Sequence, residues 1–507
     1  MTAETGSIGD RPTIDASRVL KASGWALMSR WGVRLLGLVS TLVLVRLLTP
    51  ADFGIVGMAM IVVGFSEAVL EFGVYAILIH RSRLERADYD TAWTLNVIQG
   101  AIAALLTLAV AYPAAAYFGD PRITPVLMVM AVAMVIGSAE NTGVVDFQRQ
   151  LQMRADFLLF LSRKLAGVII GIGMAVAFRS YWALVFGYAG TRLIGVAMSY
   201  WLHPFRPRIS LARLPAFIGM SAWLVMRNVG DFTRRRLDRF IVGGTLGTVA
   251  TGFYTIASEL TEMLISELLA PVSRALLPAF AAIQHDPERL RRVAGRSVGG
   301  VVTIALPASA GLAIVAPDIV GVVLGSQWEP AVPLLRILAL AVLMMSLSHT
   351  LGTLLTATGR VAVIAWGTWG QVLIFVLLWA MLFRDSGLAG VAWSRFLAGA
   401  LFTLLVLAYT ASVGLLRPAE IFAAIARPVC ATAAMTAGLL TLVPLLDLPA
   451  AVALMSSVML GAAIYTAFLL FTWILVGKPE GIESMAAARL RRWWSPPHGT
   501  GPAFRDH

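Results

Sequence analysis

The sequence of 507 residues contains a single cysteine, Cys430. No disulfide and no cysteine cage for a metal can form within the chain, and Cys430, inside an apolar run, reads as a small core residue. Charge is scarce as well: 13% of the residues are Asp, Glu, Lys or Arg, against roughly a quarter in an ordinary soluble domain. Catalytic signatures are missing, with no P-loop, HExxH, CxxC or GxSxG pattern. The stretch before Lys21 has no apolar h-region and no cleavage site, so it does not read as a signal peptide. These shortages exclude a secreted disulfide scaffold, a disordered chain and a soluble enzyme with an anchor. They point to no cofactor, no metal and no enzymatic activity.

Apolar sequence is abundant. It makes up 58% of the chain, and the mean hydropathy is +0.80. Apolar runs of about twenty residues recur from Met28 to Val476, each long enough to cross a hydrocarbon layer of ~30 Å. Spans read at about 25–48, 54–79, 91–117, 125–145, 157–178, 182–202, 215–242, 249–271, 299–316, 331–358, 362–383, 388–410, 428–446 and 451–476. The fold class is therefore all-α, a polytopic membrane protein with about 14 transmembrane helices. The longest internal loop is expected at about Pro271 to Arg296.

The net charge of +12 invites a nucleic-acid reading until its distribution is considered. With the N-terminus placed in the cytoplasm, the inside segments collect 26 arginines and lysines, Arg163 and Lys164 among them. The outside loops hold Arg122, Arg179 and Arg384. That asymmetry places both termini in the cytoplasm. The basic loops then face anionic lipid headgroups, and nucleic acid is not a partner.

Eleven arginines remain inside the spans: Arg30, Arg34, Arg46, Arg192, Arg227, Arg234, Arg235, Arg236, Arg239, Arg336 and Arg395. Arg46 and Arg239 read as snorkelling near an interface. At the bilayer centre an arginine costs ~2.5–3.5 kcal/mol even on the mildest scale, so the rest must face a wet cavity or pair with acids. Arg30 and Arg34 share one face of the first span. The seventh carries Arg227, Asp231, Arg234, Arg235 and Asp238 at spacings of three and four. The acids are Asp231, Asp238, Glu67, Glu71, Glu140, Glu259, Glu262 and Glu267, so the tally leans cationic. A guanidinium forks onto phosphate oxygens, which makes Arg30, Arg34, Arg227, Arg234 and Arg235 the candidate binders of a diphosphate. The alternative for the seventh span is an internal salt-bridge ladder. Glu67 and Glu71 either balance the first-span arginines or, with Asp231, serve as protonatable groups for ion coupling.

A faint repeat runs through the chain at an offset of 198 residues. Ser23-Gly24-Trp25 matches Ser221-Ala222-Trp223, and Met28, Gly32, Leu48, Gly54 and Ala59 match Met226, Gly230, Leu246, Gly252 and Ala257. The first two spans thus correspond to the seventh and eighth. A displacement of six spans keeps the in–out sense, so the copies are parallel repeats about an axis along the membrane normal. The organisation that follows is a cytoplasmic tail at 1–22, an N-lobe at 23–214 and a C-lobe at 215–427. Two further spans lie at 428–476, with a second cytoplasmic tail at 477–507. Gly167 and Gly171, spaced GxxxG, read as helix-packing residues. Trp31 lies deeper than the other span-end tryptophans and is a candidate for stacking on sugar.

The residues that open each repeat resemble a known family. Ser23-Gly24-Trp25, Arg30-Trp31-Gly32 and Val45-Arg46-Leu47-Leu48-Thr49-Pro50-Ala51-Asp52-Phe53-Gly54 are similar to the first hairpin of Wzx-type oligosaccharide flippases. Asp238-Arg239-Phe240-Ile241-Val242-Gly243, with Leu246-Gly247 and Gly252-Phe253-Tyr254, resembles the matching hairpin of the second lobe. That family sits in the MOP superfamily with MATE antiporters and lipid II flippases. The resemblance implies two six-helix lobes related by pseudo-two-fold symmetry in a V, with two C-terminal helices added. It implies a bacterial inner-membrane protein that moves an undecaprenyl-diphosphate-linked oligosaccharide across the bilayer by alternating access. Expected partners are that lipid-linked oligosaccharide, membrane lipids, and polysaccharide polymerase and chain-length machinery. The competing expectation is an ion-coupled antiporter of small cationic compounds, which would favour an acidic cavity.

Overall fold

A computed structural model describes residues 16–71, 73–81, 83–218, 221–446 and 448–477. Among them all regular structure is helical. In chain order the helices begin with α1 (Ala16–Leu47), α2 (Pro50–Leu70), α3 (Val74–His80), α4 (Arg86–Ala109), α5 (Ala111–Phe118) and α6 (Ile123–Ser138). They continue with α7 (Val145–Arg149), α8 (Met153–Phe178), α9 (Trp182–Leu202), α10 (Pro215–Ile218), α11 (Ser221–Ala282) and α12 (Pro287–Ile319). The last five are α13 (Val332–Ala357), α14 (Val361–Leu378), α15 (Gly387–Ser412), α16 (Pro418–Leu442) and α17 (Ala450–Leu475). Nine helical segments of the described residues are long and apolar enough to cross a membrane, or ten with one bent pair. One of these segments, Val361–Ser412, contains two of the expected spans, and Asn228–Met263 overlaps two more. The chain is an all-helical, multi-span membrane protein.

Local chemistry sets the breaks. Thr49 and Asp52 form a capping box that starts α2, with Pro50 in its first turn, where a missing N–H costs nothing. The expected second span, 54–79, is broken after Leu70. Gly73 takes a left-handed conformation (φ 67°) and α3 begins anew. The fourth span bends by 65° between Ser138 and Thr142. There buried Asn141 donates to the carbonyl oxygen of Phe205 at 2.8 Å and accepts from the N–H of Gly143. Within the 62 residues of α11, Gly247 is non-helical (φ 80°, ψ −170°). That backbone is open essentially to glycine alone, and it separates the expected seventh and eighth spans.

The loop expected at 271–296 is corrected. α11 runs on to Ala282 and α12 starts at Pro287, capped by Asp286. Leu290, Ala294 and Val298 are buried along one face of this charged first part of α12, so four-residue periodicity keeps it helical despite its arginines. Cys430, expected in the core, is exposed on α16. Arg239, expected to snorkel, is buried.

The helices form two compact units divided after Gly252. The first has a core of Ile55, Met58 and Val63 from α2 with Leu127 and Met130 from α6. The second gathers Phe280, Leu290, Leu351, Leu354 and Ile421.

Candidate functional site

Close helix packing in the first unit positions its intramembrane charges. A Cβ added to Gly167 of α8 would lie 2.1 Å from Thr191 Oγ1, and one on Gly187 of α9 would lie 3.1 Å from the Gly167 carbonyl oxygen. Gly167 and Gly171 are thus packing residues, and they let α8 and α9 meet along a seam of small residues. Two further glycines make room for arginines beside that seam. The side chain of Arg192 crosses Gly137, where an added Cβ would stand 2.7 Å from Arg192 Cδ. Arg163 crosses Gly195, with its Nε 3.0 Å from the corresponding point.

Both arginines meet acids from other helices. Arg192 donates to Glu67 Oε1 of α2 at 2.6 Å and to Tyr188 Oη at 3.1 Å, its guanidinium 5.2 Å from the Tyr188 ring centroid. Arg163 pairs with Glu140, just past α6. Ten residues beyond the start of α8, Arg163 and the neighbouring Lys164 belong to a spanning helix, not to a loop. Lys164 lies over Gly37 of α1, its Nζ 3.4 Å from where a Cβ would be. The side chains of Arg192 and Glu67 are 36% and 41% exposed, those of Arg163 and Glu140 24% and 19%. The Arg192–Glu67 pair is therefore open to exchange of partners. A pair this exposed is worth about 0–1 kcal/mol.

The seventh-span charges follow a second helix of the same unit. Asp231 faces Arg234 Nη2 at 3.5 Å and Arg235 Nη2 at 3.9 Å, a salt-bridge ladder within α11. Arg235 is 62% exposed. This stretch lies along α2: a Cβ on Gly64 would stand 2.7 Å from the Phe232 ring, and Asn228 Nδ2 donates to the Glu71 carbonyl oxygen at 3.3 Å. Glu71 caps α2 and is exposed. Arg34 is half-buried on α1, and Trp31 is exposed beside it. Arg30 and Arg227 are on the helical backbone of α1 and α11, and their side chains fall outside the described residues. In the second unit, Arg395 meets Glu262 at 3.5 Å.

The Glu140–Arg163 pair and the Tyr188 contact were not apparent from the sequence. Glu140 and Arg192 stand out there as intramembrane charges, but their partners are fixed by the meeting of four helices distant in sequence.

One end of the first unit is tightly closed. A Cβ on Gly54 would overlap the Thr248 carbonyl oxygen at 1.8 Å, and one on Gly252 would overlap the Pro50 carbonyl oxygen at 1.9 Å. Pro50 and Thr248, like Gly54 and Gly252, are 198 positions apart, so the two copies exchange the same contact, as a local two-fold axis requires. Tyr117 stacks on Phe240 with centroids 4.7 Å apart. Asp120 accepts from Arg122 Nε at 3.0 Å and Nη2 at 2.8 Å, and from Thr248 Oγ1 at 3.1 Å. The Arg122 hydrogen bonds hold the Asp120 carboxyl below its usual range. Elsewhere in the unit, beyond α9, His203 Nε2 lies 3.7 Å from Asp146 Oδ2, and Tyr89 donates to Asp146 Oδ1 at 2.6 Å. Burial pushes the His203 imidazole below its ordinary value.

A multi-span helical bundle with paired arginines inside its first unit belongs among membrane transport folds rather than soluble enzymes. Its fold is that of the lipid II flippase MurJ in an inward closed conformation, with a TM-score of 0.71 at 11% identity, covering 90% of this chain and 99% of that one. Residues 43–333, more than half of the sequence, match the family described as polysaccharide biosynthesis protein, and the chain belongs to that family. It is 24% identical over 362 residues to the lipopolysaccharide biosynthesis protein WzxC of Escherichia coli (strain K12), covering 68% of this chain and 71% of that protein. It is also 24% identical over 404 residues to the succinoglycan biosynthesis transport protein ExoT of Rhizobium meliloti (strain 1021), covering 76% and 82%.

Proposed function

We propose that the protein is a flippase that carries a polyprenyl-diphosphate-linked oligosaccharide across the bacterial inner membrane for surface polysaccharide assembly. The observation that carries the reading is the set of guanidinium groups gathered on spanning helices of the first unit, in a chain with a lipid II flippase fold. The protein performs no covalent step; its task is to lower the cost of moving a charged head through the hydrocarbon layer.

The diphosphate docks on Arg30 and Arg34 of α1 and on Arg227, Arg234 and Arg235 of α11, while the lipid tail stays in the bilayer. Guanidinium suits a diphosphate because its donors fork onto adjacent phosphate oxygens and its charge does not titrate. Asp231 holds Arg234 and Arg235 in the empty state and Glu67 holds the neighbouring Arg192, while Glu67, Glu71 and Asp231 are the groups that take up protons during the cycle. The exposed Arg192–Glu67 pair supports this, since a pair worth little in water can be opened by an incoming anion. The lobes at 23–214 and 215–427 rock between inward and outward states, with 428–476 appended. Both termini are cytoplasmic, and the product is delivered to polymerase and chain-length machinery.

The test is export of polysaccharide by Arg30→Ala and Arg34→Ala variants present in the membrane at normal abundance. The expected result is a fall of about tenfold or more, because each lost charge-assisted contact is worth ~1.5–3 kcal/mol. Undiminished export would end the diphosphate assignment.

A further inference from the structure

We propose that a cavity at one end of the second unit binds an anionic phospholipid, with Arg336 holding the phosphate. The cavity has a volume of about 420 Å³, within the range of small-ligand clefts. It is lined by Ala313 and Ile314 of α12, Arg336, Ile337 and Leu340 of α13, Trp393 of α15 and Leu440 of α16. Arg336 is the one charged residue of that lining.

The four helices contribute from the same end. Ala313 and Ile314 precede the end of α12 at Ile319, and Leu440 precedes the end of α16 at Leu442. Arg336 follows the start of α13 at Val332, and Trp393 follows the start of α15 at Gly387. Arg336 thus stands four residues into α13, near that end of the bundle.

Arg336 makes no hydrogen bond or ion pair with any other described residue. Asp318 and Glu329, the acids flanking this end of α12 and α13, form no ion pair with it among the described residues. Arg336 is exposed, so its guanidinium is within reach of an anion from outside the protein while its stem lies on the apolar lining. Leu340, Trp393 and Leu440 are exposed at the mouth. An apolar mouth on a spanning bundle is poorly matched to water and well matched to acyl chains. The cation selects a phosphate, and the apolar slot selects the chain attached to it. A free phosphate ion would leave the slot unused. Phosphatidylglycerol fits best, since its single negative charge matches one arginine and its head carries no competing cation.

The experiment uses the purified full-length protein with phosphatidylglycerol as the probe, reading retained lipid by native mass spectrometry and the shift of the unfolding midpoint. The wild type is expected to keep the lipid and to be raised in midpoint by it. Arg336→Ala should reduce retention about tenfold or more, the loss of one charge-assisted contact, and Arg336→Lys should reduce it less. Leu340→Trp fills the slot while leaving the charge, so it too should release the lipid, and it carries the test if Arg336→Ala does not fold. Equal retention by Leu340→Trp, or by a folded Arg336→Ala, overturns the proposal. So does protection by inorganic phosphate alone, which would make this a free-ion site. Preferential binding of a polyprenyl phosphate that phosphatidylglycerol cannot displace would overturn it as well, by assigning the slot to the carrier lipid.

Discussion

At the scale of single residues, two kinds of charge pair behave differently. Arg192 and Glu67 are more than a third exposed, so a double-mutant cycle with Arg192→Ala and Glu67→Ala, read by thermal unfolding, should give a coupling below about 1 kcal/mol. Asp120 is buried and receives three side-chain hydrogen bonds from Arg122 and Thr248. Asp120→Asn should therefore cost more, about 1–3 kcal/mol, in the same measurement. His203 offers a pH test. Its imidazole is held below its ordinary value by burial, so on acidification the unfolded chain takes up a proton before the folded one does. Stability is then lost as pH falls below about 6.5 towards the lower folded value. The midpoint of the wild type should drop more between pH 7.5 and 5.5 than that of His203→Gln. These pairings were only partly legible in the sequence. Helical spacing correctly placed Asp231 within reach of Arg235, because that contact is local. Glu67 and Arg192 are 125 positions apart, and spacing offers several partners for each.

At the scale of helices, each described segment long and apolar enough to cross a membrane falls on an expected span, because a lipid-facing helix must be continuously apolar. The errors fall where one residue type overrides the run. Gly73 splits the second span through its left-handed backbone, and at the bend of the fourth Asn141 bonds the backbone of Gly143 and of the distant Phe205. The polar start of α12 looked like a loop because four arginines interrupt its apolar residues, although the buried ones keep a four-residue period. Gly247 occupies a backbone region that alanine enters only at ~1–3 kcal/mol, so Gly247→Ala should lower the unfolding midpoint measurably. Gly137→Val should push Arg192 off its track. A crosslink or distance probe between α2 and α9 would report the lost contact with Glu67.

At the scale of the whole molecule, the distribution of positive charge makes an orientation test direct. Because Cys430 is the sole cysteine, one change, Cys430→Ala, gives a background for labelling. Cysteines introduced at Arg179 and Arg384 should react with an impermeant maleimide added to intact cells, while those at Arg208 and Arg289 should react only after permeabilisation. The reverse pattern would invert the topology. Composition and charge asymmetry carried the fold class and the expected sidedness. The arrangement of acids around the arginines depended on tertiary contacts that no periodicity encodes.

The exchanged contact at Gly54 and Gly252 has a further consequence. Each glycine is roofed by a carbonyl from the other copy, so a leucine at either position acts as a wedge driven into both first turns at once. The two contacts form one latch, and neither glycine can be enlarged without prising open the turn that roofs the other.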